Sequence, residues 1–323
     1  MTNRRHFVTS LAAMGAASLL PLQANWAQDA APFGLPILPT ERFRRFTMGD
    51  VEIIALHDGA TRLPLHDKYV TNAPFAEVKA LATSLGLTTD YVELPFTGFL
   101  VVSGSRRILL DTGLGDMGTP RQTTGKLVES LRAAGLKPED IDTVVITHFH
   151  PDHVSGLRNL AGEFTYPNAT VWVASREYEF WMSDEKMRAA PAQKFNFERA
   201  QRVFKGMPEK MLRRYTPGGE VVPGVFSIPA YGHTPGHTIF EVRGGGHTFH
   251  YIGDMVNVPA IFLRHPEWSV ASDMDADAAR AVRLQVLAKV ASSDGLIGGF
   301  HFPFPAIGRL RSRGGGYDLE PLS

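Results

Sequence analysis

Apolar residues fall along this chain in short β-branched runs separated by turn-forming residues, with longer amphipathic stretches between some of them. Residues 143–147, Thr-Val-Val-Ile-Thr, form an unbroken run that reads as a buried strand. Comparable runs at 97–102, 107–110, 170–174, 221–229, 238–242, 248–252 and 296–299 predict further strands. Met48-Gly49-Asp50 lies between two β-rich stretches within 46–56 and predicts a hairpin, as does Gly244-Gly245-Gly246 between 238–242 and 248–252. Helical spacing marks 125–134, stopped by Gly135 and followed by Pro138. It also marks 275–291, a Phe-, Trp- and Met-rich region at 175–210, and 75–85, which reads as a peripheral helix or a lid. Strands come first, then strand–helix units, and this order occurs twice. That predicts one mixed α/β (α+β) domain with sheets inside and helices outside.

Composition narrows the class. With 323 residues, 44% hydrophobic and 20% charged, the chain can bury a sizeable core. The 33 basic and 33 acidic residues cancel, so nothing in the charge favours a nucleic acid or an anionic membrane. A small-molecule substrate is the expected partner, with a homodimer as the candidate assembly. There is no cysteine, so any metal must be held by His, Asp or Glu.

The first 31 residues stand apart. Arg4-Arg5 precedes Phe7 and a small, apolar run from Ala12 to Leu22, too short to span a bilayer. This reads as a twin-arginine-type signal cleaved between Ala24 and Ala31, leaving a domain over 32–323 in the periplasm or secreted.

The chemistry concentrates just beyond the 143–147 strand, where His148-Phe149-His150-Pro151-Asp152-His153 packs three imidazoles and a carboxylate into six residues. Candidate partners, each just past a predicted strand, are His233, Asp254 and His301. Together these give two sets of three His or carboxylate donors, with one carboxylate left to bridge. Two divalent ions about 3.5–4 Å apart would share a water whose pKa falls towards 7. No Gly-x-Ser-x-Gly elbow or Cys offers a protein nucleophile. Asp111, after the 107–110 strand, reads either as an orienting carboxylate behind a histidine or as a turn residue, and His237 as a structural neighbour of His233. Asp273, Asp275 and Asp277 read as a solvated helix start.

These motifs, with Asp111-Thr112-Gly113 before them and Gly232-His233, Gly253-Asp254 and His301 after, resemble the metallo-β-lactamase superfamily over most of 46–310. The resemblance implies a four-layer αβ/βα sandwich. It implies that His148, His150 and His233 bind one metal and Asp152, His153 and His301 the other, with Asp254 bridging. Zinc is the first metal to expect, though such donors also accept Mn, Fe or Co, alone or mixed. The stretch Gly49-Asp50-Val51-Glu52-Ile53, Phe180-Trp181, Val222-Pro223-Gly224 and the ending His301-Phe302-Pro303-Phe304-Pro305 are similar to the methyl parathion hydrolase-like group. That likeness implies hydrolysis of a lactone, aryl ester or organophosphate triester by the bridging hydroxide, with Asp152 and Asp254 as catalytic carboxylates. It also implies a pocket that includes Trp181 and Phe197, unless these are plain core. The lactonases carry a Tyr three residues after the bridging Asp; here Asn257 stands in that place and is the expected pocket donor. The alternatives are a mononuclear iron oxidoreductase of the same fold, persulfide dioxygenase-like, and a β-lactam hydrolase.

Overall fold

The computed structural model describes residues 33–118, 122–293 and 295–322. The expected signal segment lies outside the described residues, which build two seven-stranded sheets. The first contains β1 (Phe43–Met48), β2 (Val51–Pro64), β3 (Tyr91–Ser103), β4 (Arg106–Leu110), β5 (Thr143–Val145), β6 (Thr170–Ala174) and β7 (Leu212–Tyr215), side by side in chain order. The second contains β8 (Glu220–Val222), β9 (Val225–Pro229), β10 (Thr238–Gly244), β11 (His247–Tyr251), β12 (Leu296–Gly298), β13 (Ile307–Arg313) and β14 (Gly316–Pro321), also in chain order. Hairpins make β1 to β4 antiparallel, and crossovers then make β4 to β7 parallel. In the second sheet only β11 and β12 run parallel, joined through the long helix that follows.

The helices are α1 (Phe75–Ser84), α2 (Leu127–Ala133), α3 (Pro151–Val154), α4 (Ser175–Trp181), α5 (Asp184–Ala189), α6 (Lys194–Phe204), α7 (Pro259–Phe262) and α8 (Ala276–Ser293). Side-chain alternation explains the layering. In β2, Ile53 and Ala55 face the core between the sheets, while Ile54 and Leu56 face a second core under the helices. In β4, Ile108 and Leu110 face inward and Leu109 outward. The outer core of the first sheet is closed by Leu127 and Leu131 of α2 and by Phe197, Ala200, Val203 and Phe204 of α6. Across the molecule Val286, Leu287 and Val290 of α8 are buried beside the second sheet. The result is the expected four-layer sandwich, because strands apolar on both faces need cover on both faces.

Several boundaries differ from the sequence reading. The 175–210 region is three helices rather than one, because Ser183 caps α5 and Pro191 precedes α6. The 221–229 run is two strands around the Pro223-Gly224 turn. β2 continues to Pro64, past the polar residues at Thr61 and Arg62, because it pairs with β3 along its whole length through a bulge at His57 and Gly59. The charged β13–β14 hairpin follows the strand expected to be last; its outward arginines pair across the strands, Arg311 with Glu320 and Arg313 with Asp318.

At the end of the sandwich where the two predicted hairpins turn, their glycines meet. A Cβ on Gly49 (φ +62°) would lie 2.3 Å from the Gly245 Cα, and one on Gly245 (φ +55°) would lie 2.4 Å from the Gly49 Cα. Both backbone conformation and contact therefore require glycine. Gly49→Ala should lower unfolding stability by about 1–3 kcal/mol. A denaturant midpoint equal to that of wild type would show that the two turns do not depend on this contact.

Candidate metal centre

The ends of β4, β5, β11 and β12 open on the same edge of the sandwich, and the loops after them carry the candidate donors. Pro151 starts α3 at its first position, so the chain leaves β5 extended through His148 and His150 and then turns Asp152 and His153 back over one helical turn. His233 comes from the loop between β9 and β10, Asp254 from the loop after β11 and His301 from the loop after β12.

The seven residues form two groups. His148, His150, His233 and Asp254 make one; Asp152, His153, Asp254 and His301 make the other. Within each group the donor atoms all lie within 4.8 Å of one another, and Asp254 belongs to both. Asp254 Oδ2 is 3.0 Å from His301 Nε2, 3.3 Å from His233 Nε2 and 3.7 Å from His148 Nε2. Its Oδ1 is 3.0 Å from His153 Nε2. Asp152 Oδ2 faces His153 Nε2 at 3.5 Å and His301 Nε2 at 3.6 Å.

The residues behind the donors explain which nitrogens converge. A carboxylate only accepts, so His153 Nδ1 donates to Asp111 Oδ2 (2.8 Å) and His233 Nδ1 to Asp273 Oδ1 (3.0 Å). His301 Nδ1 donates to the Pro95 carbonyl (2.9 Å), and His148 Nδ1 lies 3.0 Å from Thr147 Oγ1. Four imidazoles are thus held from behind by Nδ1 and point Nε2 inward. His150 is the exception: its Nδ1 faces His233 Nε2 at 3.0 Å. Two nitrogens on one tetrahedral ion at ~2.0–2.1 Å stand roughly 3.3 Å apart, so this spacing suits a shared ion.

Asp111, which the sequence left between two readings, is an orienting group. It is fully buried at φ +58° and accepts from the Thr147 N–H, Thr147 Oγ1, His153 Nδ1 and Tyr251 OH at 2.7–2.8 Å. His237 lies outside the donor set, as expected; its Nδ1 donates to the Ala230 carbonyl, and its Nε2 sits 3.4 Å from the Asp254 backbone nitrogen. Asp273 corrects the sequence reading of a solvated helix start. Its side chain is 1% exposed and pairs with both His233 and Arg283.

Two expected pocket residues also need correction. Trp181 and Phe197 are both fully buried, 4.6 Å apart between ring centroids, because the apolar face of α6 is taken up by the core. Trp181 meets the centre through a T-shaped contact with His150, ring centroids 5.9 Å apart. Asn257 follows Asp254 by three residues and is 8% exposed; its Oδ1 accepts from Tyr69 OH (2.5 Å), so its amide nitrogen stays available as a donor.

Glu177, which the sequence reading did not single out, clamps the two loops of the first group. It accepts from the Phe149 N–H (2.8 Å), Trp181 Nε1 (2.6 Å), Thr234 Oγ1 (2.9 Å) and the Gly236 N–H (2.7 Å). Burial pushes its carboxyl up, and these donors pull it back. A glutamate two residues into an amphipathic helix carries no sequence signal for this role.

Electrostatics fit cation binding. Burial and then the neighbouring histidines hold His150 down at about 3, and His148 also well below its ordinary value, so both offer lone pairs. Burial opposes charge on His153 as well, but Asp254, Asp152 and Asp111 outweigh it and hold that imidazole well above its usual range. The same carboxylate field would hold a divalent cation. His148 Nε2, His153 Nε2 and Asp254 Oδ1 are buried with no hydrogen-bond partner among the described residues. Buried polar atoms of this kind need a partner, and the donor set matches what zinc and related ions take.

The family model of the metallo-beta-lactamase superfamily matches residues 97–301, which hold every donor. The chain belongs to the metallo-β-lactamase superfamily. Among solved structures it is similar to the hydrolase AbOPH of the β-lactamase superfamily, at 29% identity and TM-score 0.81, covering 88% of this chain and 99% of that one. It is also similar to AidC, a dizinc quorum-quenching lactonase, at 25% identity and TM-score 0.78, covering 87% and 97%. An N-acyl homoserine lactonase, AttM of Azorhizobium caulinodans, is 26% identical over 61% of this chain and 72% of its own length. Of two further curated relatives the chain spans less, 59% of one and 20% of the other.

Removing the Glu177 carboxylate orphans four buried donors at once. Glu177→Ala should lower unfolding stability by about 3–5 kcal/mol, read from urea unfolding followed by circular dichroism. A loss below about 1 kcal/mol would mean that the two loops hold together without this clamp.

Proposed function

We propose that this chain is a dinuclear-metal hydrolase of a small neutral ester, with a lactone as the first substrate to test and an aryl ester or organophosphate triester next. The observation that carries the reading is the placement of Asp254, which belongs to both His/Asp groups: its Oδ2 lies 3.0 Å from His301 Nε2 of one and 3.3 Å and 3.7 Å from His233 and His148 Nε2 of the other, and its Oδ1 lies 3.0 Å from His153 Nε2. His148, His150 and His233 would hold one ion and Asp152, His153 and His301 the other, with Asp254 between them. When bound, two such ions activate a water and polarise the carbonyl or phosphoryl oxygen of the substrate. The lactonases AidC and AttM, similar to this chain, support a lactone.

The protein's own contribution is orientation. Asp111, Thr147, Asp273 and the Pro95 carbonyl fix the imidazoles before substrate arrives. Tyr69 holds the Asn257 oxygen, which leaves the amide N–H to donate to a substrate oxygen in place of a phenol. Net reaction adds water across the ester: a new C–O or P–O bond forms and the alkoxy or aryloxy group leaves with a proton. The twin-arginine-type start of the chain supports a reaction outside the cytoplasm.

Zinc-loaded protein should hydrolyse at least one member of a panel of lactones, aryl acetates and paraoxon-type triesters, and a chelator should abolish that activity. A chromogenic β-lactam in the same panel should stay intact. His148→Ala and Asp254→Asn should each lower kcat/KM by about a hundredfold or more, with metal content falling on the same samples. Full metal content and full esterase activity in both variants would overturn the reading.

A further inference from the structure

One buried charge pair ties together two of the three candidate ligands that come from loops of the second sheet. Arg283 of α8 is 1% exposed and donates in three directions. Its Nε reaches the Met255 carbonyl (2.7 Å), Nη1 the carbonyls of Trp268 and Pro266, and Nη2 reaches Asp273 Oδ2 (2.9 Å). The other Asp273 oxygen accepts from His233 Nδ1 (3.0 Å). Met255 directly follows Asp254. A single planar guanidinium therefore sets both the angle of the His233 ring and the backbone that presents Asp254.

We propose that Asp273 and Arg283 are positioning residues that hold His233 and Asp254 in register, so that the first metal site is complete only when this pair is intact. The proposal rests on the reading of His233 and Asp254 as metal ligands. A buried arginine with every branch of its fork used is costly to replace. Lysine has one charged nitrogen and cannot serve Met255 and Asp273 together in the same geometry. An asparagine at 273 keeps the shape but has one acceptor oxygen; its NH2 would have to face a donor, either His233 or Arg283. The sign is therefore the same for both substitutions: the His233 ring loses its fixed angle.

The test compares wild type, Asp273→Asn, Arg283→Met and Arg283→Lys as full-length protein, by elemental analysis, zinc competition against a chromophoric chelator, and cobalt-substituted absorption spectra. Wild type should bind two ions. In Asp273→Asn one of the two should bind about 10–100-fold more weakly, with its cobalt band shifted, while the other keeps its affinity; Arg283→Met should weaken that same ion at least as much and the other ion less. Arg283→Lys should not restore the weakened site. Combining Asp273→Asn with Arg283→Met should weaken it no further than Arg283→Met alone, within about twofold, because the arginine variant already loosens both the His233 ring and the backbone just after Asp254. Wild-type affinity for both ions in Asp273→Asn and Arg283→Met, even with a lower Tm, would reduce the pair to a stability element and overturn the proposal. If Arg283→Met fails to fold, Asp273→Asn decides the matter alone. Failure of wild type to bind two ions would instead sink the functional reading itself.

Discussion

The centre depends on one constraint: an imidazole buried in a dry site must have its rear nitrogen occupied, or it turns. Four of the five donor histidines meet that constraint with an acceptor at about hydrogen-bond distance, and each acceptor comes from a different place. Thr147 sits beside its histidine, Asp111 follows β4, Asp273 precedes α8, and the Pro95 carbonyl belongs to β3. Once these are in place, the front nitrogens have one direction left, and it converges on Asp254. Thr147 Oγ1 also donates to Asp111, so the rear of His148 and the rear of His153 are fixed by one carboxylate. Such networks specify geometry strongly when every member is satisfied and cost heavily when one is missing. This is why Asp111 tolerates a left-handed backbone that few non-glycine residues adopt.

Much of this was legible in the sequence, and the part that was not shares a physical cause. The donors announced themselves because His148, His150, Asp152 and His153 are close together and each of His233, Asp254 and His301 follows a strand-like run. Short β-branched runs bounded by turn residues marked the strands, and β2 and β4 prove apolar on both faces. What stayed hidden was support that acts across the fold. Asp273 lies in an acidic run that any solvent-exposed helix start could carry, and only packing against Arg283 and His233 separates it from the exposed Asp277 further along the same run. Glu177 and Arg283 are charged residues on helices, where a linear reading assigns them to water. Trp181 and Phe197 failed in the opposite sense. A motif likeness suggested a pocket wall, but aromatic residues on the apolar face of a helix are more often claimed by the core, and here they are.

The placement of donors also couples the chemistry to the fold. His148, His150, Asp152 and His153 arrive from the loop that ends the β5 strand of the first sheet. His233, Asp254 and His301 arrive from loops of the second. Each group in the centre therefore draws on both sheets, and neither sheet holds three donors of one group by itself together with the shared carboxylate. The two sheets are joined elsewhere by apolar packing, which fixes the distance between their faces but is tolerant of small slides along them. The polar contacts at the edge are not tolerant. The Thr238 N–H bonds the Thr147 carbonyl, Tyr251 bonds Asp111, and the Thr97 N–H bonds the Phe300 carbonyl, each contact crossing from one sheet to the other. Apolar burial thus brings the halves together, and hydrogen bonds at the edge set their register. An ion that binds only the assembled groups then adds its binding free energy to that docked state. The seven donors are accordingly a product of the tertiary fold, with the His148–His153 segment as the part that happens to be contiguous in the chain.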